Sequence, residues 1–351
     1  MTMKKTALVV GATGVSGRAL INYLDRQEDW SVIGLSRKPP YFETRARFVS
    51  VDLTNPESCQ EGLSGLSEVT HVFYTAYVDN KVIAETRAPN ARMFANFLPV
   101  IEKAAKNLQH VCLLQGTKYY GQYLGPFKTP AKETDPRISV PHFYYDQQDL
   151  LMAASEGKDW SWSAARPHVI CGFALGNPLN LVATIAVYAS LLREMGEPLG
   201  FPGKPGAFTS IYQATDADLL AKAMVWMSIS PQCANEAFNI TNGDFFRYQN
   251  MWPVFARHFG MQAGGVETMD VPSRMRGTDK LWDTMVEKYR LQRHPLSLLV
   301  NWDFANYAFS NDWDVMSDTT KCRKFGFLDF IDSEQMFLDQ FSALQRDKII
   351  P

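Results

Sequence analysis

The stretch TALVVGATGVSGRALINYLDRQEDWSVIGLSRK, from Thr6 to Lys38, decides the fold. Ala7 to Val10 is a continuous apolar run, the pattern of a strand buried on both faces of a parallel sheet. Gly11, Gly14 and Gly17 follow at three-residue spacing, and Ala19, Leu20, Ile21 and Leu24 then give one apolar face of a helix. Ser31 to Leu35 reads as a second strand, closing a βαβ unit of the length a right-handed crossover needs. Glycines between strand and helix let the backbone approach a pyrophosphate, and the free N–H groups at the helix start bind it. Gly11, Thr13, Gly14, Val15 and Gly17 are therefore expected to cradle a dinucleotide. The spacing is GxxGxxG rather than GxGxxG, and a plain βα turn with no ligand is the competing reading.

The end of the second strand selects the dinucleotide. An acidic residue there would hold the ribose 2′-hydroxyl of NAD. This chain has Ser36, Arg37 and Lys38. A guanidinium makes forked, charge-assisted hydrogen bonds to a phosphate, so the expected cofactor is NADP(H). The competing reading is a solvated basic loop, which Pro39 and Pro40 would suit.

Working outward, the α/β alternation continues. Phe48 to Val51 is a short strand followed by Asp52 and Leu53, where an aspartate can accept from the adenine amino group or simply close a turn. Val72 to Tyr74 is the next strand, with Thr75, Ala76 and Tyr77 just past its carboxyl end, the edge where open parallel sheets hold ligands. Pro89 to Ala105 reads as a long amphipathic helix. His110 to Gln115 is a strand, and Gly116, Thr117 and Lys118 stand at its ligand edge. Gly121 to Pro141, interrupted by four prolines, reads as a flap. A helix begins at Tyr144 and Tyr145 and runs toward Gly157. Trp160 to Ala165 is a strand, with Arg166, Pro167, His168 and Val169 after it. An apolar helix follows from about Asn180 to Arg193, then a helix from Thr215 to about Met227 and a late strand at Ala237 to Ile240. The remainder is mainly helical and rich in tryptophan and phenylalanine.

These elements predict an α/β protein, a Rossmann-type doubly wound parallel sheet with a smaller, mainly helical C-terminal cap on the substrate side. Residues 1–175 are expected to form the nucleotide-binding part, with 208–242 returning to it, and 176–351 the substrate part. The 351 residues, 46% hydrophobic with a net charge of −2, describe an ordinary globular chain with no global attraction for nucleic acid or anionic membrane. Leu179 to Leu192 falls short of the ~20 apolar residues a membrane span needs. The chain starts directly into a strand and glycine turn rather than a signal peptide. Cys59, Cys112, Cys171, Cys233 and Cys322 are scattered, without metal-ligand spacing, so reduced buried thiols and a cytoplasmic location are expected and a metal is not. His168 has no second ligand at metal spacing. A homodimer is an arrangement the sequence leaves open.

GATGVSG resembles the short-chain dehydrogenase/reductase superfamily, most of whose members use a YxxxK pair on one helix face. Here Tyr144 has Gln148 at the fourth position and Tyr145 has Asp149. The runs THVFYTAY (Thr70 to Tyr77), LLQGTKYYG (Leu113 to Gly121), FYYDQQD (Phe143 to Asp149), ARPHVICGF (Ala165 to Phe173) and NEAFNITNGD (Asn235 to Asp244), with the terminal KIIP, look like those of the progesterone 5β-reductase/iridoid synthase-like enone reductases. The resemblance covers nearly the whole chain. It implies an NADPH-dependent enzyme whose active lysine is Lys118 and whose active tyrosine is Tyr144, the first of the FYY pair. By their position at the ligand edge, Gln115, Gly116, Tyr144, Pro167 and Val169 are expected to contact the cofactor, Pro167 and Val169 at the nicotinamide carboxamide; Tyr77, Phe127 and Asn180 are pocket candidates by position, with structural packing the competing reading for each. Tyr77 stands where the family often has tryptophan, so pocket size and shape are expected to differ.

The chemistry so implied is 1,4-reduction of an α,β-unsaturated carbonyl compound, with Tyr144 and Lys118 stabilising the enolate oxygen. Three alternatives remain open at this point: a 1,2-carbonyl reductase using the same donors, a sugar-nucleotide epimerase or dehydratase, and a non-catalytic NADP(H)-binding redox sensor. Small carbonyl compounds are the expected partners in the first two reductase readings.

Overall fold

In β1 (Lys5–Val10), Ala7 to Val10 have no solvent exposure, and their side chains alternate between two cores. Ala7 and Val9 join one apolar cluster, Leu8 and Val10 the other, as period-two geometry requires of a strand covered on both faces. The computed structural model describes residues 4–80 and 82–351, with the side chain of Ile83 outside that description. After β1 come α1 (Val15–Leu24), β2 (Trp30–Ser36), β3 (Arg47–Ser50), α2 (Pro56–Leu63), β4 (His71–Tyr74), α3 (Arg87–Ala104), β5 (His110–Leu114), α4 (Phe143–Ser155), β6 (Ser161–Pro167) and α5 (Leu181–Met195). The strand Glu236–Ile240 is β7 of the main sheet.

All seven strands are parallel, in the order β3-β2-β1-β4-β5-β6-β7. The order reverses between β1 and β4, and the crevice at such a switch point is where doubly wound sheets bind ligands. One layer carries α1 and the helix Ala217–Ile229; the other carries α2, α3 and α4. β6 ends two residues later than expected. Arg166 and Pro167 are strand residues because Asn239 and Ile240 of β7 pair with them. Past β5 the chain turns at once into a short 3-10 helix, Thr117–Tyr120.

The C-terminal part is built around α5, of which every residue from Leu181 to Leu192 is buried. Asn180 caps its start by accepting from the Ala183 N–H (3.0 Å). Gly196, at φ +74°, closes its end, and the Glu197 N–H returns to Leu192 O (2.9 Å). Helices Tyr248–His258, Asp279–Tyr289 and Ser333–Arg346 and a two-stranded pairing of Leu199–Phe201 with Ala263–Val266 complete this core. All five cysteines are buried and unpaired. Among the described residues no helix is long and apolar enough to cross a membrane.

Candidate active site

The glycine turn is built by leaving atoms out. Gly11 has φ +85°, and a methyl there would come within 2.9 Å of the Ala76 backbone; a methyl on Gly17 would lie 2.2 Å from Gly11 O. The close approach locks β1, the β4 edge and α1 together. No side chain caps α1, whose first backbone bond is from the Arg18 N–H to Gly14 O (2.8 Å). The preceding N–H groups, around Thr13 and Val15, are open to an anion. Thr75 fastens the β4 edge beside this turn, donating both its N–H (2.9 Å) and its Oγ1–H (2.7 Å) to Val10 O.

At the end of β2, Ser36 Oγ donates to Lys38 O, which bends the chain so that Arg37 and Lys38 stand in solvent. Neither cation is in an ion pair among the described residues. Arg37 is within electrostatic reach of Asp52. The Asp52 carboxylate accepts from the Thr54 N–H (2.9 Å) and Oγ1–H (2.7 Å), and these bonds hold its pKa down. It thus makes the turn that the sequence allowed as an alternative to an adenine contact, and its second oxygen remains open. Leu53 is buried, its carbonyl accepting from Asn96 Nδ2 (3.0 Å).

Lys118, just past β5, and Tyr144, in the first turn of α4, have two neighbours in common, Tyr307 and His142. Because Gly116 has no side chain, the Tyr144 hydroxyl lies over it: a methyl on Gly116 would be 3.3 Å from that oxygen and 3.3 Å from Pro167 O. His142 sets the first turn of α4, its Nδ1 accepting from the Tyr144 N–H (3.2 Å) while its ring packs on Phe143 (4.6 Å) and Tyr144 (4.4 Å). Burial, and secondarily Lys118, lower the His142 pKa to about 4, so this imidazole is neutral. The Lys118 amine is largely buried with no hydrogen bond or ion pair among the described residues. The ring of Tyr307 lies 5.6 Å from Nζ. Burial lowers the Lys118 pKa, and Asp79 opposes that shift. Burial raises the Tyr144 pKa, with Tyr307 adding to it, so the phenol is protonated. Its hydroxyl likewise has no hydrogen-bond partner among the described residues. Two donors, each near Tyr307, are therefore without a hydrogen-bond partner among the described residues and have donor capacity left for a ligand.

Behind them lies a buried cation of another kind. Arg166, 1% exposed, donates to Gln115 Oε1 (2.9 Å), Tyr120 OH (3.1 Å) and Gln148 Oε1 (3.2 Å), and its guanidinium stacks 3.4 Å from the Tyr119 ring. Gln115 Nε2 also donates to Gln148 Oε1 (3.1 Å) and Tyr144 O (3.1 Å), tying the end of β5 to α4. Gln148, which stands where YxxxK would have lysine, is a member of this network.

The other expected positions have assorted surroundings. Tyr77 is 43% exposed, stacks on Phe143 (5.8 Å, 28°) and donates to Asp79 Oδ1 (2.7 Å). Phe127 packs between the Tyr119–Tyr120–Tyr145 cluster and the C-terminal core. Asn180 is 1% exposed with both ends of its carboxamide engaged, Oδ1 in the α5 cap and Nδ2 on Gly172 O. Val169 O accepts from the Thr215 N–H (3.0 Å). His168 is buried with Nδ1 2.7 Å from Thr117 Oγ1.

Sequence reading missed Tyr307, Asp79, His142 and the Arg166 network. The histidine could have been found, since it directly precedes the aromatic start of α4 as a cap residue does. Tyr307 carries no local signal, because it reaches the cleft from 189 positions further along than Lys118.

A family model described as a PRISE-like Rossmann-fold domain matches residues 7–351. The chain is 32% identical to a 3-oxo-Delta(4,5)-steroid 5-beta-reductase of Arabidopsis thaliana, covering 100% of this chain and 94% of the relative. It is 31% identical to an (S)-8-oxocitronellyl enol synthase of Catharanthus roseus, covering 99% and 93%. It is 32% identical to a short chain dehydrogenase of Penicillium aethiopicum, covering 99% and 100%. Among solved structures, a UDP-glucose 4-epimerase of Thermotoga maritima superposes with a TM-score of 0.71 at 14% identity over 97% of this chain and 99% of the other. A Thermus thermophilus UDP-glucose 4-epimerase in complex with NAD gives 0.68 at 15%, over 96% and 99%. At those identities the likeness is one of fold.

Proposed function

The chain belongs to the PRISE-like Rossmann-fold family, and from that membership we propose that it is an NADPH-dependent reductase of activated C=C bonds in α,β-unsaturated carbonyl compounds. It is an oxidoreductase by kinship, since full-length relatives are named a reductase and a dehydrogenase. The observation that carries the finer reading is the pair of unpartnered donors, Lys118 and Tyr144, at the ligand edge of β5.

The turn Gly11–Gly17, with the uncapped start of α1, fits a pyrophosphate, and Arg37 with Lys38 fits a 2′-phosphate. When bound, the reduced nicotinamide supplies a hydride to the β-carbon of the enone. Negative charge then grows on the substrate's carbonyl oxygen. Tyr144, kept protonated by burial, donates a hydrogen bond to that oxygen and can pass it a proton. Lys118, poorly solvated, adds positive charge where it acts most strongly. His142 holds the first turn of α4, and so Tyr144, without adding a second cation beside Lys118.

NADPH absorbance followed against enones, enals, saturated carbonyls and sugar nucleotides, with NADH as control, tests the reading. Oxidation of NADPH with enones is expected. Turnover of saturated carbonyls instead would make the reaction a 1,2-reduction, and tight NADPH binding without turnover would replace catalysis by sensing.

A further inference from the structure

Tyr307 comes from the C-terminal part, on the short helix Trp302–Ala308, and reaches over the ligand edge of the sheet. That helix is firmly seated. Asn301 caps it by accepting from the N–H groups of Asp303 (2.9 Å) and Phe304 (3.3 Å), the Asn301 N–H donates to Pro178 O (3.2 Å), and Ala305 and Ala308 are buried. The Tyr307 ring lies 5.6 Å from Lys118 Nζ, and its hydroxyl has the side chain of Gln122, a flap residue only 2% exposed, as a neighbour. The ring is thus carried on a seated helix and set beside the flap. Tyr307 is also within electrostatic reach of Tyr144 and of Tyr77, whose ring stacks on Phe143. Tyr307 and Tyr77 are thus both neighbours of Tyr144.

We propose that Tyr307 is a specificity-determining residue, which admits flat conjugated carbonyl compounds to Lys118 and Tyr144 and turns away those with substituents standing out of the plane. The inference rests on the reading of Lys118 and Tyr144 as the carbonyl-binding pair. Its physical basis is that a ring already packed over the ammonium leaves room for another π-face and none for tetrahedral bulk. A flat substrate exchanges one ring contact for another, whereas a geminal methyl pair meets a ring carried on a firmly seated helix. Nothing in Lys118 or Tyr144 themselves makes this discrimination, since each contacts only the carbonyl oxygen.

The test compares cyclohex-2-enone with 4,4-dimethylcyclohex-2-enone, which share a ring and an enone and differ by two methyls. In Tyr307→Ala the ratio of kcat/KM values, unsubstituted over dimethyl, is expected to fall at least tenfold. In Tyr307→Phe the ratio is expected to hold within about twofold, because the ring does the sorting. An unchanged ratio in Tyr307→Ala overturns the proposal. A second readout is independent of turnover. Limiting acetic anhydride, with peptide mass spectrometry, measures how accessible the Lys118 amine is. Labelling of Lys118 is expected to rise several-fold in Tyr307→Ala and not in Tyr307→Phe, and equal labelling in all three proteins overturns the covering role. If the wild-type enzyme reduces neither enone, the enone reading fails by itself, and the labelling result still decides whether Tyr307 covers the lysine. Should Tyr307→Ala fail to fold, Tyr307→Leu, apolar but not planar, carries the same two expectations.

Discussion

Arg166, buried at the end of β6, and Lys118, partly buried just past the end of β5, are two cations housed in opposite ways. The Arg166 guanidinium has a neutral acceptor for each of its three nitrogens and a tyrosine ring on its face. Lys118 has a ring and, among the described residues, no hydrogen-bond acceptor. Removing a cation from water is costly unless hydrogen bonds replace the lost hydration. The arginine network therefore belongs to the architecture, holding β5, β6 and α4 in register. The lysine is left short of partners at the place where a substrate oxygen would supply one.

The sharpest way to break the comparison is through Tyr144, the neutral member of the unpartnered side. Tyr144→Phe is expected to lower kcat by about 10²–10³-fold with NADPH affinity retained, as loss of one preorganised donor does. A Tyr144→Phe enzyme turning over enones at the wild-type rate would remove the distinction between the two sites. Next comes the satisfied cation. Arg166→Met strands Gln115, Gln148 and Tyr120, and the denaturant midpoint should fall by an amount worth ~3 kcal/mol. If Arg166→Met kept its stability and lost only activity, the architectural role would be wrong. Lys118→Met should do the reverse, losing roughly 10²-fold in kcat while the Tm rises, because an unsolvated charge is removed from the native state.

A third cation extends the contrast. Arg37 is exposed and in no ion pair among the described residues, so its expected contribution is to a bound ligand rather than to the fold. Arg37→Ser is expected to reduce the preference for NADPH over NADH by about tenfold, read from kcat/KM with each cofactor, with the melting curve unmoved. The smallest effect is on the pH profile. The Lys118 pKa is lowered by burial, so the ammonium is lost, and kcat/KM falls, as pH rises through a value below the ordinary 10.5. The unfolded chain keeps its proton to higher pH, so within that window the charge is a native-state cost that eases as pH rises. In Lys118→Arg the alkaline limb should disappear, whatever activity remains.

Much of this was legible in the chain. The order of strand, glycine turn and helix in Thr6–Lys38 is local, and local patterns specify a βαβ unit directly. Lys118 could be singled out because it follows a strand whose end sits at the ligand edge, whereas Tyr144 is singled out by the family resemblance of FYYDQQD, position alone favouring a core aromatic. What escaped is non-local. Arg166 reads as an ordinary residue before a proline until β7 lengthens β6 and buries it. Asn180, expected at a pocket wall, is a helix cap with both polar ends engaged, a use that its position ahead of an apolar helix already hints at. Tyr307 depends on how the cap folds back over the sheet, which no periodicity encodes.

The last strand of the sheet, Glu236–Ile240, lies about 70 residues beyond the strand it pairs with, a separation that matters before the enzyme ever meets a substrate. A ribosome adding ~5–20 residues each second takes on the order of ten seconds to cover that gap. Throughout that interval the hydrogen-bonding edge of β6 and the apolar face of α1, later covered by Ala217–Ile229, stand bare on the nascent chain. Chaperone dependence during synthesis, rather than fragility of the finished protein, is the burden this topology imposes.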